Sequence, residues 1–387
     1  MAIPISYNIR NMILRKGLTL MTALGIALTV MTAVFLMMLL AGMQKAFVTS
    51  GDPLNVLVMR KGSTSELAGG FTKDKLPVLK QLPGIAKDSH GEPFVSGEWV
   101  VVVVLPRKDG TGEVNVTLRG MGPDGLELRP RAKLLAGQWF MPGQHEVVVS
   151  QSIHNRFRHT DVGEMLDFGK GPWKVTGIFD GGGTSYDSEI WGDVNQVADQ
   201  FNRQNALGSA YLRATDGVAA DALKHRVADD QRLELEGMLE TEYYDKQTSS
   251  GAPIRFMGYV VAVTMAIGSI FAATNTMYAA VAYRSREIAT LRVIGFGRGS
   301  ILASFVFESV LLALLGAAVG IIVMLPFNGM STGTSNAVTF SEVVFSMRIT
   351  FSVVVSAIVF AVAMGLIGGV APAWGAARRE ILAALRD

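Results

Sequence analysis

Cysteine is absent from the 387 residues, which excludes disulfides and thiolate metal sites. It leaves the compartment open, since a protein outside the cytoplasm can do without bridges. Charge is scarce: 18% of the residues are Asp, Glu, Lys or Arg, against 49% hydrophobic. The formal net charge of +2 gives no case for nucleic-acid binding. A mean hydropathy of +0.33 is too high for an ordinary soluble enzyme and too low for an all-helical membrane bundle. A membrane part and a water-soluble part are both predicted. No G-x-x-x-x-G-K-[ST] occurs, so the chain carries no P-loop of its own, and neither H-E-x-x-H nor G-x-S-x-G is present to argue a hydrolase.

What is present is four long apolar runs. Residues 18–43 contain no charge over about 39 Å of helix, enough to cross a hydrocarbon core of about 30 Å. The run is longer than the apolar region of a cleaved signal peptide, so a retained span is expected. Residues 254–283, 300–327 and 349–374 supply three more spans, with an outer loop at 328–348. Residues 1–17 carry Ile5, Ile9, Met12 and Ile13 at helical spacing, which suits a helix in the membrane interface on the cytoplasmic side. Basic residues cluster at Arg10, Arg15 and Lys16, at 284–299, and at Arg378, Arg379 and Arg386 in the tail 375–387. Because Lys and Arg concentrate on the cytoplasmic side of short loops, all three clusters place both termini in the cytoplasm and residues 44–253 outside it.

That outer segment reads as an α/β domain with a β-rich insert. Strand, helix and strand patterns fall at 54–59, 73–82 and 99–105, and again at 210–214, 218–228 and 235–244. They suggest one split α/β part formed by about 50–108 and 196–250. Short strands at 114–119, 146–150, 173–179 and 189–193 mark an insert over about 110–195. Gly181-Gly182-Gly183-Thr184-Ser185 lacks the lysine of a phosphate cradle and reads as a turn. His154, His159 and Asp161 have spacing that does not put the two histidines on one helical face, so they read as surface residues.

Small residues mark helix contacts in the spans: Gly268, Ala272, Thr276 and Ala280 step by four, and Gly316/Gly320 and Gly365/Gly369 each form G-x-x-x-G. Glu308 lies inside an apolar run, where a carboxylate is costly unless paired, and Arg284 or Arg286 is the expected partner. Asn275 is a candidate for hydrogen bonding between helices.

The connector from 283 to 299, YRSREIATLRVIGFGRG, is the most distinctive stretch. Ile288, Leu291 and Ile294 recur at helical spacing, and Gly295, Gly297 and Gly299 offer stops. The run from 275 to 308, with Asn275, then Arg284-Ser285-Arg286-Glu287-Ile288, Leu291-Arg292, a glycine turn and Glu308, resembles the permease domain of the FtsX and MacB superfamily of ABC transporters. The phrases GQWFMPGQHEVVVS and WKVTGIFDGGGTSYDSEIW are similar in style to that family's outer domain.

The resemblance implies a permease subunit that is not itself an enzyme. Two separate ATPase subunits would bind ATP and magnesium, the chain itself would hold no cofactor, and a second permease subunit, the same or different, would complete a dimer in the lipid bilayer. Arg284, Arg286, Glu287, Ile288, Leu291 and Arg292 would couple to the ATPase, with Ile288 and Leu291 as apolar anchors in it. Asn275, Glu308, Gly316, Gly320, Gly365 and Gly369 would pack or relay within the membrane. The expected action is mechanical: the spans carry ATP-driven movement to the outer domain, which expels a lipoprotein, lipid, peptide or hydrophobic drug. A periplasmic adaptor or outer-membrane component is left open. The rival is an FtsX-like signalling protein of the same build that activates an envelope enzyme without transport.

Overall fold

The computed structural model describes residues 4–14, 16–249, 252–336 and 340–378; Arg15, Arg379 and Arg386 fall outside them, as do the side chains of Ile5 and Ile9. In chain order the elements begin with α1 (Ile5–Leu14), α2 (Lys16–Ser50), β1 (Asn55–Arg60), β2 (Phe71–Thr72), α3 (Lys75–Lys80), β3 (Val95–Pro106), β4 (Glu113–Met121), α4 (Pro123–Glu127), β5 (Lys133–Gly137) and β6 (Glu146–Ser150). They continue with α5 (Gln151–Arg156), β7 (Met165–Phe168), β8 (Gly171–Asp180), β9 (Glu189–Asp193), α6 (Val194–Gln200), β10 (Ala206–Leu207), β11 (Ser209–Arg213), α7 (Gly217–Asp229), β12 (Leu235–Leu239) and α8 (Glu240–Ser249). The last are α9 (Ala252–Tyr283), α10 (Ser285–Val293), α11 (Arg298–Met324), β13 (Ser331–Ser335), β14 (Glu342–Ser346) and α12 (Phe351–Arg378).

These fall into two compact units: Met1–Ala41, Pro253–Gly329 and Met347–Asp387 form one, and Gly42–Ala252 with Met330–Ser346 form the other. Among the described residues four helices are long and apolar enough to cross a membrane, Thr19–Ser50, Phe256–Tyr283, Arg298–Phe327 and Phe351–Arg378, and all but residues 42–50 of the first helix lie in the first unit. Their interior is built from small and flexible side chains, among them Val30, Met38, Ala313, Ala317, Ala357, Ala361 and Met364. Small residues let backbones approach closely where lipid offers no hydrophobic drive to associate.

The second unit is a mixed α/β domain on one large sheet, ordered β12-β1-β11-β3-β4-β9-β6-β8-β5 with β7 also paired to β8. β1 reads Asn-Val-Leu-Val-Met-Arg and is buried over its first five residues, as suits a strand covered on both faces. The Asp216 side chain caps α7 by accepting the Ala219 N–H at 2.8 Å, and α7 lies on β12 and β1. One cluster around Val56, Leu212, Leu223 and Leu235 and another around Val149, Trp173, Val175 and Ile190 fill the two ends of the sheet.

Three expectations change. The first helix does not stop at residue 43 but runs to Ser50, because Phe47 finds an aromatic neighbour in Tyr244, their ring centroids 6.4 Å apart. The strand expected over 235–244 ends at Leu239, and α8 starts at Glu240, where Glu240 and Glu242 suit the positive end of a helix. The outer loop at 328–348 contains a β13–β14 hairpin that belongs to the outer unit. The insert at about 110–195 shares its sheet with the rest of the outer unit. β3 pairs with β11 through Val95–Glu98 and with β4 through Trp99–Pro106, so one strand joins both parts of the sheet.

Candidate coupling site at the connector helix

The chain leaves α9 at Tyr283 and turns at Arg284 into α10. Arg284 is buried, and its Nη1 donates to Glu308 Oε2 at 2.9 Å while its Nε donates to Glu287 Oε2 at 3.3 Å. Of the two arginines considered as partners for Glu308, it is Arg284 that reaches the carboxylate. The Tyr7 hydroxyl of α1 donates to the same Glu287 oxygen at 2.9 Å, and the guanidinium lies over the Tyr7 and Phe305 rings at 5.1 and 5.3 Å. One cluster thus ties α1, α10 and α11 to the end of α9. A buried pair of this kind is weak evidence for net stability, but removing one partner costs about 3–5 kcal/mol because the other charge is left uncompensated. Beside Glu308 is a cavity of about 20 Å³ lined by Thr19, Thr22 and Thr276, room for one water.

α10 presents two faces. Ile288 (3% exposed) and Ala289 turn inward, and Ile288 joins a cluster with Met12, Met277, Val281, Ile301 and Phe305. The expectation that Ile288 anchors in a partner is therefore corrected: the chain's own membrane unit uses it. Leu291 and Arg292 are half-buried. The outward face carries Arg286, Glu287, Thr290, Val293 and Ile294, all exposed, Val293 and Ile294 by 65% and 64%; Tyr283, the last residue of α9 before the turn, is 81% exposed. These positions step by three or four and so share one side of the helix. Periodicity missed this stripe because Ile288, Leu291 and Ile294 alone look like one face.

The helix ends in a glycine turn of defined geometry. The Phe296 N–H donates to the Leu291 carbonyl at 3.0 Å and the Gly295 N–H to the Arg292 carbonyl at 3.2 Å, the paired bonds of a Schellman motif. Gly295 adopts φ +107°, which a residue with a Cβ rarely takes. Gly297 begins α11 as its N-cap residue.

The membrane glycines divide. A Cβ on Gly316 would lie 2.8 Å from Ile26 Cβ, and one on Gly320 2.8 Å from the Ala27 carbonyl oxygen, so this pair seats α11 on α2. Gly365 and Gly369 seat α12 on α11, where Ser309 Oγ donates to the Gly365 carbonyl at 2.6 Å. A Cβ on Gly268 would meet nothing within 4 Å among the described residues, so this position seats no other helix of the chain. Asn275 is exposed, without a side-chain hydrogen bond among the described residues, so it is not a link within this chain's own bundle.

The outer unit holds a charged core that no local pattern indicated. Arg119 donates to Glu66, Glu98 and Glu189 at 2.8–3.0 Å, and Arg129 donates to Glu98 at 2.7 and 2.8 Å. All five are buried, and Arg129 lies over the Tyr211 and Tyr186 rings at 4.9 and 5.3 Å. Burial opposes ionisation of Glu66, yet Arg119 and the hydrogen bonds from Arg119 and Ser209 hold its carboxyl below the usual range. Burial pushes Glu240 up against the opposing pull of Arg129 and of the Asp52, Asn55 and Tyr186 donors. A cavity of about 60 Å³ opens beside Arg119, bounded by Tyr244, Ser185 and the hairpin's Asn336. A sequence hint lay in Glu98, the one charged residue of the otherwise largely apolar β3; Arg119 sits in β4, which alternates polar and apolar residues and hides it.

The Gly181–Ser185 turn is filled by its own chain, Asp187 accepting the Gly181 and Gly183 N–H groups at 2.8 and 2.9 Å. His154 Nδ1 lies 3.4 Å from Asp161, and among the described residues no group of three metal-ligating side chains gathers.

Two family profiles match this chain: the MacB-like periplasmic core domain over residues 19–230 and the FtsX-like permease C-terminal over residues 259–381. The chain belongs to the MacB and FtsX type of ABC transporter permease, a multi-pass family of the inner membrane. Among curated relatives, the macrolide export ATP-binding/permease protein MacB of Rhodopseudomonas palustris strain HaA2 is 24% identical over 318 residues, covering 76% of this chain and 47% of that protein. MacB of Nitrosomonas europaea is 23% identical over 406 residues, covering 97% and 58%. The chain spans about half the length of the curated relatives it matches. The periplasmic region of MacB from Actinobacillus actinomycetemcomitans aligns with 50% of this chain and 92% of that one, at 14% identity and a TM-score of 0.38.

Proposed function

We propose that this chain is the membrane subunit through which a separate ATPase drives the outer domain of an ABC transporter, with ATP and magnesium bound by the partner. The observation that carries the reading is the two-faced α10: its inner side packs through Ile288 against α1, α9 and α11, the Arg284–Glu308 pair fixes the turn before it, and Val293 and Ile294 stand exposed on the other side with Arg286. A helix so attached passes a push on its outer face to the bundle, because the buried ion pair and apolar contacts leave it no independent movement. An amphipathic helix offering apolar anchors among charges is suited to a partner's groove, the charges setting register. The connector and both termini lie in the cytoplasm in this reading, and the outer unit lies across the membrane.

Two ATPase subunits and a second permease subunit complete the assembly. The exposed Asn275 amide in an apolar helix supports a membrane partner on that side, since a polar side chain facing lipid is costly. The cargo class is an amphiphile already at the outer face of the membrane: lipoprotein, lipid, peptide or hydrophobic drug. Export is named for the relatives, and it is proposed for this chain on the same domain composition.

Ile294→Asp tests the coupling face. Losing an interface anchor costs about 2 kcal/mol, roughly a 30-fold rise in Kd for the ATPase. Thermal unfolding should not move, because Ile294 is exposed. Glu287→Lys should weaken binding as well. Wild-type ATPase binding and turnover in both variants would remove the coupling role from α10.

A further inference from the structure

Segment Met330–Ser346 belongs to the outer unit although it connects α11 to α12. Its strands pair from Ser331 opposite Ser346 to Ser335 opposite Glu342, and a two-stranded hairpin is marginal alone in water. Something else must hold it. Val343, Val344 and Phe345 are buried, the Val344 N–H donates to Ser188 Oγ at 2.7 Å, and Asn115 Nδ2 donates to the Phe340 carbonyl at 2.9 Å.

The centre of the attachment is Glu342, which is 4% exposed. One carboxylate oxygen accepts from Arg107 Nη2 at 2.8 Å and the other from Arg156 Nη2. Arg107 follows β3 and Arg156 closes α5, so the two cations come from separate parts of the outer unit. Among the described residues Arg156 Nη1 is buried without a hydrogen-bond partner, and Gly333 on the facing strand leaves the carboxylate its space, since a Cβ there would collide with it. Two guanidiniums around one carboxylate make the contact one-sided: withdrawing Glu342 would strand two partly buried cations at once.

We infer that Glu342 is a positioning residue, a clasp that fastens the α11–α12 hairpin to the outer unit and so links the third and fourth spans to it. The chain's other two passages between the units, at residues 41–42 and 252–253, involve only the first and second spans. With the clasp closed, all four spans are tied to the domain they drive. This rests on the coupling proposed above.

The test uses the full chain in lipid nanodiscs with the ABC ATPase that copurifies from native membranes. Amide hydrogen exchange is followed before and after trapping with ATP and vanadate. Glu342→Gln removes the charge while keeping the shape, and Arg107→Met removes one cation from the other side, so that a folding failure in one still leaves the other. In both, β14 amides should exchange at least tenfold faster without nucleotide while β1 and β12 stay protected. Trapping should alter exchange in the outer sheet of the wild type, and this response should shrink in the variants. Unchanged β14 exchange would overturn the clasp. Faster β14 exchange with a wild-type trapping response would make the contact packing alone and overturn its role in coupling. A wild type indifferent to trapping would defeat the coupling reading and the linkage with it, whereas the nucleotide-free exchange separately decides whether Glu342 holds the hairpin.

Discussion

Replacing Arg119 with methionine isolates the charged core of the outer unit. Arg119 makes five hydrogen bonds, to both oxygens of Glu66, both of Glu189 and one of Glu98. In the variant Glu98 keeps Arg129, Glu66 keeps the Ser209 and Tyr211 hydroxyls, and Glu189 keeps the Trp191 N–H. Glu66 and Glu189 lose the cation that balanced them, so the cost is that of breaking a buried pair, about 3–5 kcal/mol. At roughly 2–4 °C per kcal/mol for a domain of this size, the midpoint falls by roughly 6–20 °C.

The pH dependence has a definite sign. In the wild type Glu66 sits below its unfolded value of 4.5, so it contributes stability that is full above that value and is lost as pH falls through the folded one. In the variant the uncompensated carboxylates are desolvated and prefer the proton, so folding takes protons up and stability rises as pH falls. The gap between the two proteins should narrow from about pH 7 to about pH 5. Tryptophan fluorescence in detergent measures it, because Trp99, Trp139, Trp173 and Trp191 lie in the outer unit and Trp374 in α12. A loss under about 1 kcal/mol, or a gap equal at both pH values, would refute the reasoning.

Residues 42–252 expressed alone lack the hairpin, which leaves Arg107, Arg156 and Ser188 without their partners there. Adding a peptide of residues 330–346 should raise the unfolding midpoint by several degrees in circular dichroism, roughly the effect of 1–2 kcal/mol, and no shift at saturation would contradict the packing. With no native cysteine, single substitutions give unique labels for the proposed orientation. An impermeant maleimide added to spheroplasts should modify Thr111→Cys in the exposed β3–β4 turn and spare Thr290→Cys on α10, and the opposite pattern would invert the topology.

The four apolar runs were legible because a membrane span depends on composition over some twenty residues, and neighbours hardly alter it. The connector was legible as a helix, but its orientation was not. Both sides of α10 carry apolar residues, and only the positions of Met12, Met277 and Phe305 show that Ile288 belongs inside. Glu308 was readable as a paired charge from its cost in an apolar run, whereas the choice of Arg284 over Arg286 required the turn at the end of α9. The charged core was hidden for a different reason. Its members, Glu66, Glu98, Arg119, Arg129 and Glu189, meet across the fold, and each alone resembles a surface residue. The hairpin escaped because Ser-Thr-Gly-Thr-Ser has no apolar alternation of its own, its partner strand being held by Arg107, Arg156 and Ser188 far away in sequence.

β3 gives its first four residues to β11 and its last eight to β4. The boundary between the two parts of the outer unit therefore runs along a strand instead of across a linker. Such a boundary limits exchange of parts between relatives: a graft of the insert alone would cut β3 off from one of its two partners or duplicate it. Recombination that preserves the fold should move β3 and β4 together with the insert, and the junctions should fall before Val95 and after Asp193. Diversity in what this domain handles would then come from its loops and edges, with the shared strand as the part that has to be inherited whole.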